Sequence, residues 1–248
     1  MNSRNIIFLL AISILSLIGC SQKNTEARYS ITGTIQNSGN QKLILQELML
    51  EGGANVTLDT ITLKEDGKFS FSFLAKKEGL YRLAIENELE NGFEILVIND
   101  EKNIQVNADP NDYASFVIKG SKASETLNQF LKTFRIKEEA FFATVEKLQA
   151  LQKSNGDAAT INQLQKEQLT KINDINKFVE KTLTENEHPI VLLSVLGLSR
   201  RYMESSSVLA YARAAAEKTK APFLVTFVNT LTNQIQANAK PMACLLYT

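Results

Sequence analysis

From residue 29 to residue 119 the apolar positions recur with a period of two. Tyr29, Ile31 and Ile35 alternate with Ser30, Thr32 and Thr34, and the series continues through Leu43 and Leu45, then Val56 and Leu58. Phe69, Phe71 and Phe73 follow, then Tyr81, Leu83 and Ile85. Successive side chains of a strand point to opposite faces, so these short runs predict strands that each bury one face. Further strands are expected at 93–98, 103–107 and 114–119. Asp66-Gly67, between Leu63 and Phe69, reads as a tight hairpin because glycine takes the positive φ such a turn needs. Asp109-Pro110-Asn111-Asp112 reads as a turn between the last two strands. About eight short strands with frequent turns predict a sandwich or an open barrel.

The period changes at Gly120. Leu127, Phe130, Leu131, Phe134, Phe141, Val145 and Leu148 recur near 3.6 residues, with Ser121 as a candidate N-cap and Glu125 in the first turn, where a negative charge suits the helix dipole. Ser154-Asn155-Gly156-Asp157 breaks the pattern, and Ile161, Leu164, Gln168, Ile172, Ile175 and Val179 resume it, so two helices should pair antiparallel. Pro189 fits the first turn of a third, more apolar helix, and Ser207 and Pro222 start two more. The last places Phe223, Phe227, Leu231 and Ile235 on one face. The expected fold class is α+β: an N-terminal antiparallel β-sandwich-like domain (29–119) followed by an α-helical bundle (120–236), each with a core of its own, meeting at Gly120-Ser121.

Ahead of the strands, Arg4 and the apolar run from Ile6 to Ile18 form a stretch shorter than the roughly 20 apolar residues of a membrane-spanning helix. It ends in Leu17-Ile18-Gly19-Cys20, which resembles the lipobox of bacterial lipoproteins. That resemblance makes residues 1–19 a signal peptide, Cys20 the lipid-bearing first residue, and 20–28 a polar tether. The expected partner is the membrane, reached through lipid on Cys20. Ser21, which is not aspartate, points by resemblance to enterobacterial lipoproteins to the outer membrane, facing the periplasm. Lys plus Arg and Asp plus Glu each number 27, so no excess of positive charge favours nucleic acid. Cys244 is the one other cysteine, so no Cys-x-x-Cys pair exists. Residues 237–248 read as an irregular tail, in which Met242-Ala243-Cys244-Leu245-Leu246-Tyr247-Thr248 fits neither helix nor strand and resembles a translated adapter fragment, which would make the chain a truncation; the alternative is a genuine short tail.

Candidate chemistry is sparse. His188 is the single histidine, at a helix junction with neither a second imidazole nor a thiol beside it, and reads as a surface or capping residue. The Asp109–Asp112 segment lacks the longer oxygen-rich loop and terminal acid of an EF-hand and reads as a plain turn. Phe69, Phe71 and Phe73 would make a stacking platform if they faced solvent, but an alternating aromatic triplet reads as sheet core. Glu138 with Glu139 reads as part of a solvated helical face rather than a general acid–base pair. No catalytic residue, metal ligand or cofactor follows from these patterns.

The segments Tyr29-Ser30-Ile31-Thr32-Gly33-Thr34-Ile35, Leu58-Asp59-Thr60, Glu65-Asp66-Gly67-Lys68-Phe69, Gly79-Leu80-Tyr81-Arg82-Leu83 and Ile118-Lys119-Gly120-Ser121 do resemble a family. They are similar to the N-terminal domain of unknown function of many Bacteroidetes lipoproteins, a DUF4369-like domain. There it precedes a thioredoxin-like domain of the TlpA/ResA kind, related to the AhpC/TSA redoxins. The resemblance implies the non-catalytic anchoring and docking part of a thiol-disulfide oxidoreductase that works on envelope client proteins. The redox-active cysteine pair of that family has no counterpart here. The alternative is a stand-alone envelope lipoprotein that recognises a protein or glycan through its β-domain.

Overall fold

The computed structural model describes residues 26–86 and 93–239. Among the described residues eight strands precede five helices: β1 (Ala27–Ile35), β2 (Lys42–Leu48), β3 (Val56–Thr62), β4 (Lys68–Ala75), β5 (Leu80–Ile85), β6 (Glu94–Ile98), β7 (Asn103–Asp109) and β8 (Asp112–Lys119), then α1 (Lys122–Lys153), α2 (Ala158–Glu185), α3 (Pro189–Ser199), α4 (Ser205–Thr219) and α5 (Pro222–Ala239). The class is α+β, as the periodicity implies.

The strands form two four-stranded sheets, ordered β4-β1-β7-β8 and β3-β2-β5-β6. Their inner faces meet in a core that includes Ile31, Phe69, Phe71, Phe73, Ile104 and Val106 from the first and Leu43, Leu45, Tyr81, Leu83 and Ile95 from the second. The odd-numbered phenylalanines of β4 all point inward while Lys68, Ser70, Ser72 and Leu74 face out, as a period of two requires. Burial pushes the Tyr81 phenol well above its ordinary range, with Glu47 and Tyr29 adding to the shift.

Three details depart from the expected all-antiparallel, hairpin-built sandwich. The β1–β7 pair is parallel, with Gly33 opposite Val106. A parallel pair needs a long crossover, and here the crossover contains the whole second sheet. Asp66-Gly67 makes no hairpin, because β3 and β4 lie in different sheets. The turn instead carries the chain across the sandwich corner: Gly67 sits at φ 63°, its N–H donates to the Lys64 carbonyl and its own carbonyl accepts from the Ile35 N–H. Val56 and Leu58 are exposed, at 46% and 37%, rather than buried. β3 is a sheet edge, and the register slips beside it so that Leu58 has no partner on β2. A bulge of this kind is a common way to blunt an open edge.

β5 explains how the helices attach. Leu80-Tyr81-Arg82-Leu83-Ala84-Ile85 is nearly continuous in apolar character and buried on both faces, as expected of a strand covered from two sides. Its outer residue Leu80, with Ile98 of β6, belongs to the helical core beside Leu127, Phe130, Ile175, Val179 and Val195. The helices therefore lie on the second sheet, while the outer face of the first stays uncovered, with Leu74 and Val117 exposed on it. α3 is apolar all round and buries Ile190, Val191, Leu192, Val195 and Leu196, which fits a helix enclosed by the others. Ser121 caps α1 by accepting from the Ser124 N–H at 3.0 Å. Ser124 in turn accepts from the Ile98 N–H at 2.8 Å and donates to the Ile98 carbonyl at 3.1 Å. Both serines are buried, so losing Ser124 would leave a buried backbone group unpaired at a cost of about 1–3 kcal/mol.

The elements give the molecule two distinct ends. β1 starts at Ala27 opposite Ala75, and Glu26 pairs with Lys76 at 3.7 Å. The start of α3 lies at this same end, since His188 contacts Glu78 at 2.8 Å. So does the end of α4, since Lys218 pairs with Glu187 at 2.9 Å. α5 then runs away from this end, and Gln234 near its close accepts from Arg200 at 2.8 Å. α1 runs antiparallel to β8: Asn128 reaches the Phe116 carbonyl, Lys132 the Ala114 carbonyl, and Arg135 covers the Tyr113 ring. The remaining turns of α1 extend ~27 Å past the sandwich at 1.5 Å per residue. With the first half of α2 they form a hairpin arm, and no residue between Phe141 and Ile172 joins either core.

The arm is held by its own contacts. Asp157 caps α2, accepting from the Thr160 N–H at 2.8 Å. Lys171 bridges Glu167 at 2.7 Å and donates to Thr144 at 2.8 Å. The backbone hydrogen bond from Thr160 holds the Asp157 carboxyl below its ordinary range, and the hydrogen bonds from Lys171 and then Thr144 do the same for Glu167. A carboxyl with a lowered folded pKa contributes stability that is complete above its unfolded pKa and lost as pH falls through the folded value. Acidification from about pH 6 to about pH 2 spans the ordinary carboxylate range near 4 and is expected to loosen the arm. Circular dichroism of the wild type should show an acid-induced helix loss that shrinks in an Asp157→Asn, Glu167→Gln double variant; identical pH profiles would contradict it.

Candidate functional site

α1 closes one open side of the sandwich, between the edge strands β6 and β8, and leaves a cavity of about 260 Å³ beside them. Its walls come from β6 at Glu94, Ile95 and Leu96, from β8 at Tyr113 and Phe116, and from α1 at Asn128, Leu131, Lys132, Phe134, Arg135 and Glu138. Leu198 and Arg201, at and after the end of α3, complete it. Tyr113 and Phe116 pack with ring centroids 4.9 Å apart, and Phe93 meets Phe116 edge-on at 5.4 Å. The floor is therefore aromatic and the rim charged.

The rim charges differ in what they touch. Glu138 accepts from the Tyr202 hydroxyl and lies 3.7 Å from Arg201. Burial raises the Tyr202 phenol above its ordinary range, and the hydrogen bond to Glu138 raises it further. Glu94 pairs with Arg82 at 3.6 Å. Lys132 donates to the Ala114 carbonyl at 2.7 Å. Arg135 lies 3.7 Å above the Tyr113 ring centroid, and among the described residues no carboxylate pairs with it. Both acids are engaged, so among the described residues the uncompensated charge in the groove is positive.

Of the residues singled out in the sequence, Cys20 and Cys244 lie outside the described residues. His188 is neither freely exposed nor a cap. It occupies the N-cap position of α3 without a side-chain cap bond; its Nε2 contacts Glu78, and its Nδ1 is buried without a hydrogen-bond partner. It ties the β4–β5 connection to the helices. The Asp109–Asp112 turn spends its oxygens locally, with Asp109 accepting from the Asn111 N–H at 2.9 Å and from the Asn37 amide at 2.7 Å, and Asp112 from the Ala114 N–H. Phe69, Phe71 and Phe73 are core, so the outer face of that sheet offers no aromatic platform from them. Glu138 and Glu139 part company: Glu139 is exposed, while Glu138 is drawn into the groove, its side chain 21% exposed. Tyr113, Arg135 and Glu138 carry no sequence motif, which is why sequence reasoning misses the groove.

Among the described residues no group of three or more His, Cys, Asp and Glu is arranged to hold a metal ion, and no helix is long and apolar enough to cross a membrane. No curated protein matches the chain. Residues 29–127 match a family described as a domain of unknown function, DUF4369. The match begins in β1 and runs past the Ser121–Ser124 clasp to Leu127, which is fully buried where α1 meets the second sheet. The match thus covers the sandwich together with the opening turns of α1.

Proposed function

We propose that this protein is a lipid-anchored component of the cell envelope that serves as the non-catalytic anchoring, spacing and docking part of a thiol-disulfide oxidoreductase of the thioredoxin-like family. Lipid on Cys20 attaches it to the outer membrane, facing the periplasm. Support comes from the export-signal pattern ending in Leu17-Ile18-Gly19-Cys20 and from the DUF4369 match that follows it. The observation that carries the reading is the polarity of the body. β1 starts at one end, and both the arm and the close of α5 lie at the other.

Ala27 lies seven residues after Cys20, at most about 25 Å away fully extended, so an anchor on Cys20 keeps the Ala27 end near the bilayer. The arm and the end of α5 then point away from it, which suits holding a redox partner and its clients at a set distance from the membrane. One diacylglyceryl-type anchor with more than one chain gives lasting attachment, since each buried methylene contributes about 0.8 kcal/mol and a single chain holds only marginally.

Cys20→Ser is expected to move the protein wholly from the membrane fraction to the soluble envelope fraction, with the melting temperature of the purified domain unchanged because every described strand and helix lies beyond it. A Cys20→Ser protein that is processed and still sediments with membranes contradicts the reading.

A further inference from the structure

We propose that the groove between α1 and the β6 edge is a peptide-binding site, which takes the last residues of an extended chain by strand addition to β6 and receives its terminal carboxylate on Arg135. The direction of the β6 backbone carries the first half. In an antiparallel pair the residues opposite one another alternate between those that bond their neighbour and those that point away. The Ile98 N–H is bonded to Ser124 of α1 and its carbonyl to Ser121 and Ser124, so Ile98 faces away from β5. Leu96 and Glu94 share its parity in the β5–β6 ladder, so their N–H and C=O groups face outward too, into the groove that they line.

Backbone groups on an open edge are a template for another strand. At Ile98 the serines of α1 fill that role; at Leu96 and Glu94 no side chain among the described residues does. The volume, about 260 Å³, lies just below the range of about 300–1,000 Å³ for ligand sites, which suits the end of a chain rather than a segment passing through. Charge carries the second half. Glu138 and Glu94 are each engaged with arginine, while among the described residues Arg135 has the Tyr113 ring and no carboxylate. A guanidinium that lies over an aromatic face keeps N–H donors whose fork matches a carboxylate. The Tyr113 and Phe116 floor then accepts an apolar last side chain.

This assigns a ligand class to the docking part of the function proposed above, on which it rests, without depending on the lipid. The test uses the full chain in detergent and an array of N-terminally tethered octapeptides of varied sequence, each made once with a free C-terminal carboxylate and once as the amide. A subset should bind as the acid and at least tenfold more weakly as the amide, and Arg135→Ala should remove that difference. Glu94→Pro removes an outward N–H at an edge strand, where proline is tolerated; it should abolish binding with circular dichroism and melting unchanged. Equal binding of acids and amides, retention of binding by a folded Glu94→Pro protein, or no binding at all would overturn the proposal. Such a failure beside a membrane-released Cys20→Ser protein leaves anchoring intact and removes only the docking site.

Discussion

Gly33→Ala is expected to keep the sandwich from closing. A Cβ at Gly33 would stand 1.7 Å from the Val106 carbonyl oxygen and 2.7 Å from its carbon. The obstacle is backbone, so no side-chain rotation relieves it. The β1–β7 pair would have to separate, and with it the one parallel ladder that joins the β4–β1 half of the first sheet to β7 and β8. The loss belongs among the largest for a single residue, roughly 4 kcal/mol or more, against a total of roughly 5–15 kcal/mol for a typical domain. The purified variant should be largely unfolded, or melt far below the wild type, by far-UV circular dichroism. A near-native melting curve would mean that the register between β1 and β7 is wrong.

Phe71→Ala should come next in size. Phe71 is fully buried, lies at the middle of β4 opposite Ile31, and packs its ring 5.9 Å from that of Phe69. Truncation removes most of a large side chain from a core formed by two sheets, and a sheet held by ladder hydrogen bonds on its inner strands does not collapse readily into the void. The expected cost is about 3–5 kcal/mol, read as a lower urea midpoint at unchanged slope. Ser72→Ala one residue on, whose side chain faces out and accepts a hydrogen bond from the exposed Arg28, is the matched control and should shift the midpoint little. If the two variants behaved alike, the inward and outward faces of β4 would have been misassigned.

The contrast between Phe71 and Val56 shows what the pattern of the chain can and cannot carry. Alternation in β4 reports a real inside and outside, because both sheets present one face to a common core. The same alternation at Val56 and Leu58 reports nothing about burial, since β3 is a bulged edge strand that neither the other sheet nor the helices cover. Asp66-Gly67 is a true turn, with the left-handed glycine the dipeptide implies, but a turn fixes local direction and not which sheet the next strand joins. Helix starts were legible at Ser121 and Pro189, where capping chemistry is local. α4 opens at Ser205, two residues before Ser207, because Glu204 rather than a serine stands at the N-cap.

The groove was not legible at all. Its members come from β6, β8, α1 and the end of α3, and their meeting depends on α1 lying between two sheet edges that no local pattern pairs. Arg135 and Glu138 look alike in the sequence as charges on a helix. They differ only through Tyr113, Tyr202 and Arg201, all distant in the chain. His188 was legible as a junction residue, yet its partner Glu78 sits in the connection before β5. Any reading of that histidine therefore needed the helices placed on the sheet first.

The central claim is the polarity of an anchored body, and energy transfer to the membrane tests it most directly. Single cysteines placed at Lys76 and at Asn155, in a lipidated protein with Cys244 replaced by serine, would each carry a donor dye, with an acceptor lipid in the vesicle. Lys76 pairs with Glu26 at the tether end, whereas Asn155 is the tip of the arm. The two lie apart by roughly the ~30 Å of a nine-residue strand plus the ~27 Å of the arm. Transfer should be strong from Lys76 and weak from Asn155. Equal transfer from both sites, or stronger transfer from Asn155, would contradict an arm held away from the membrane.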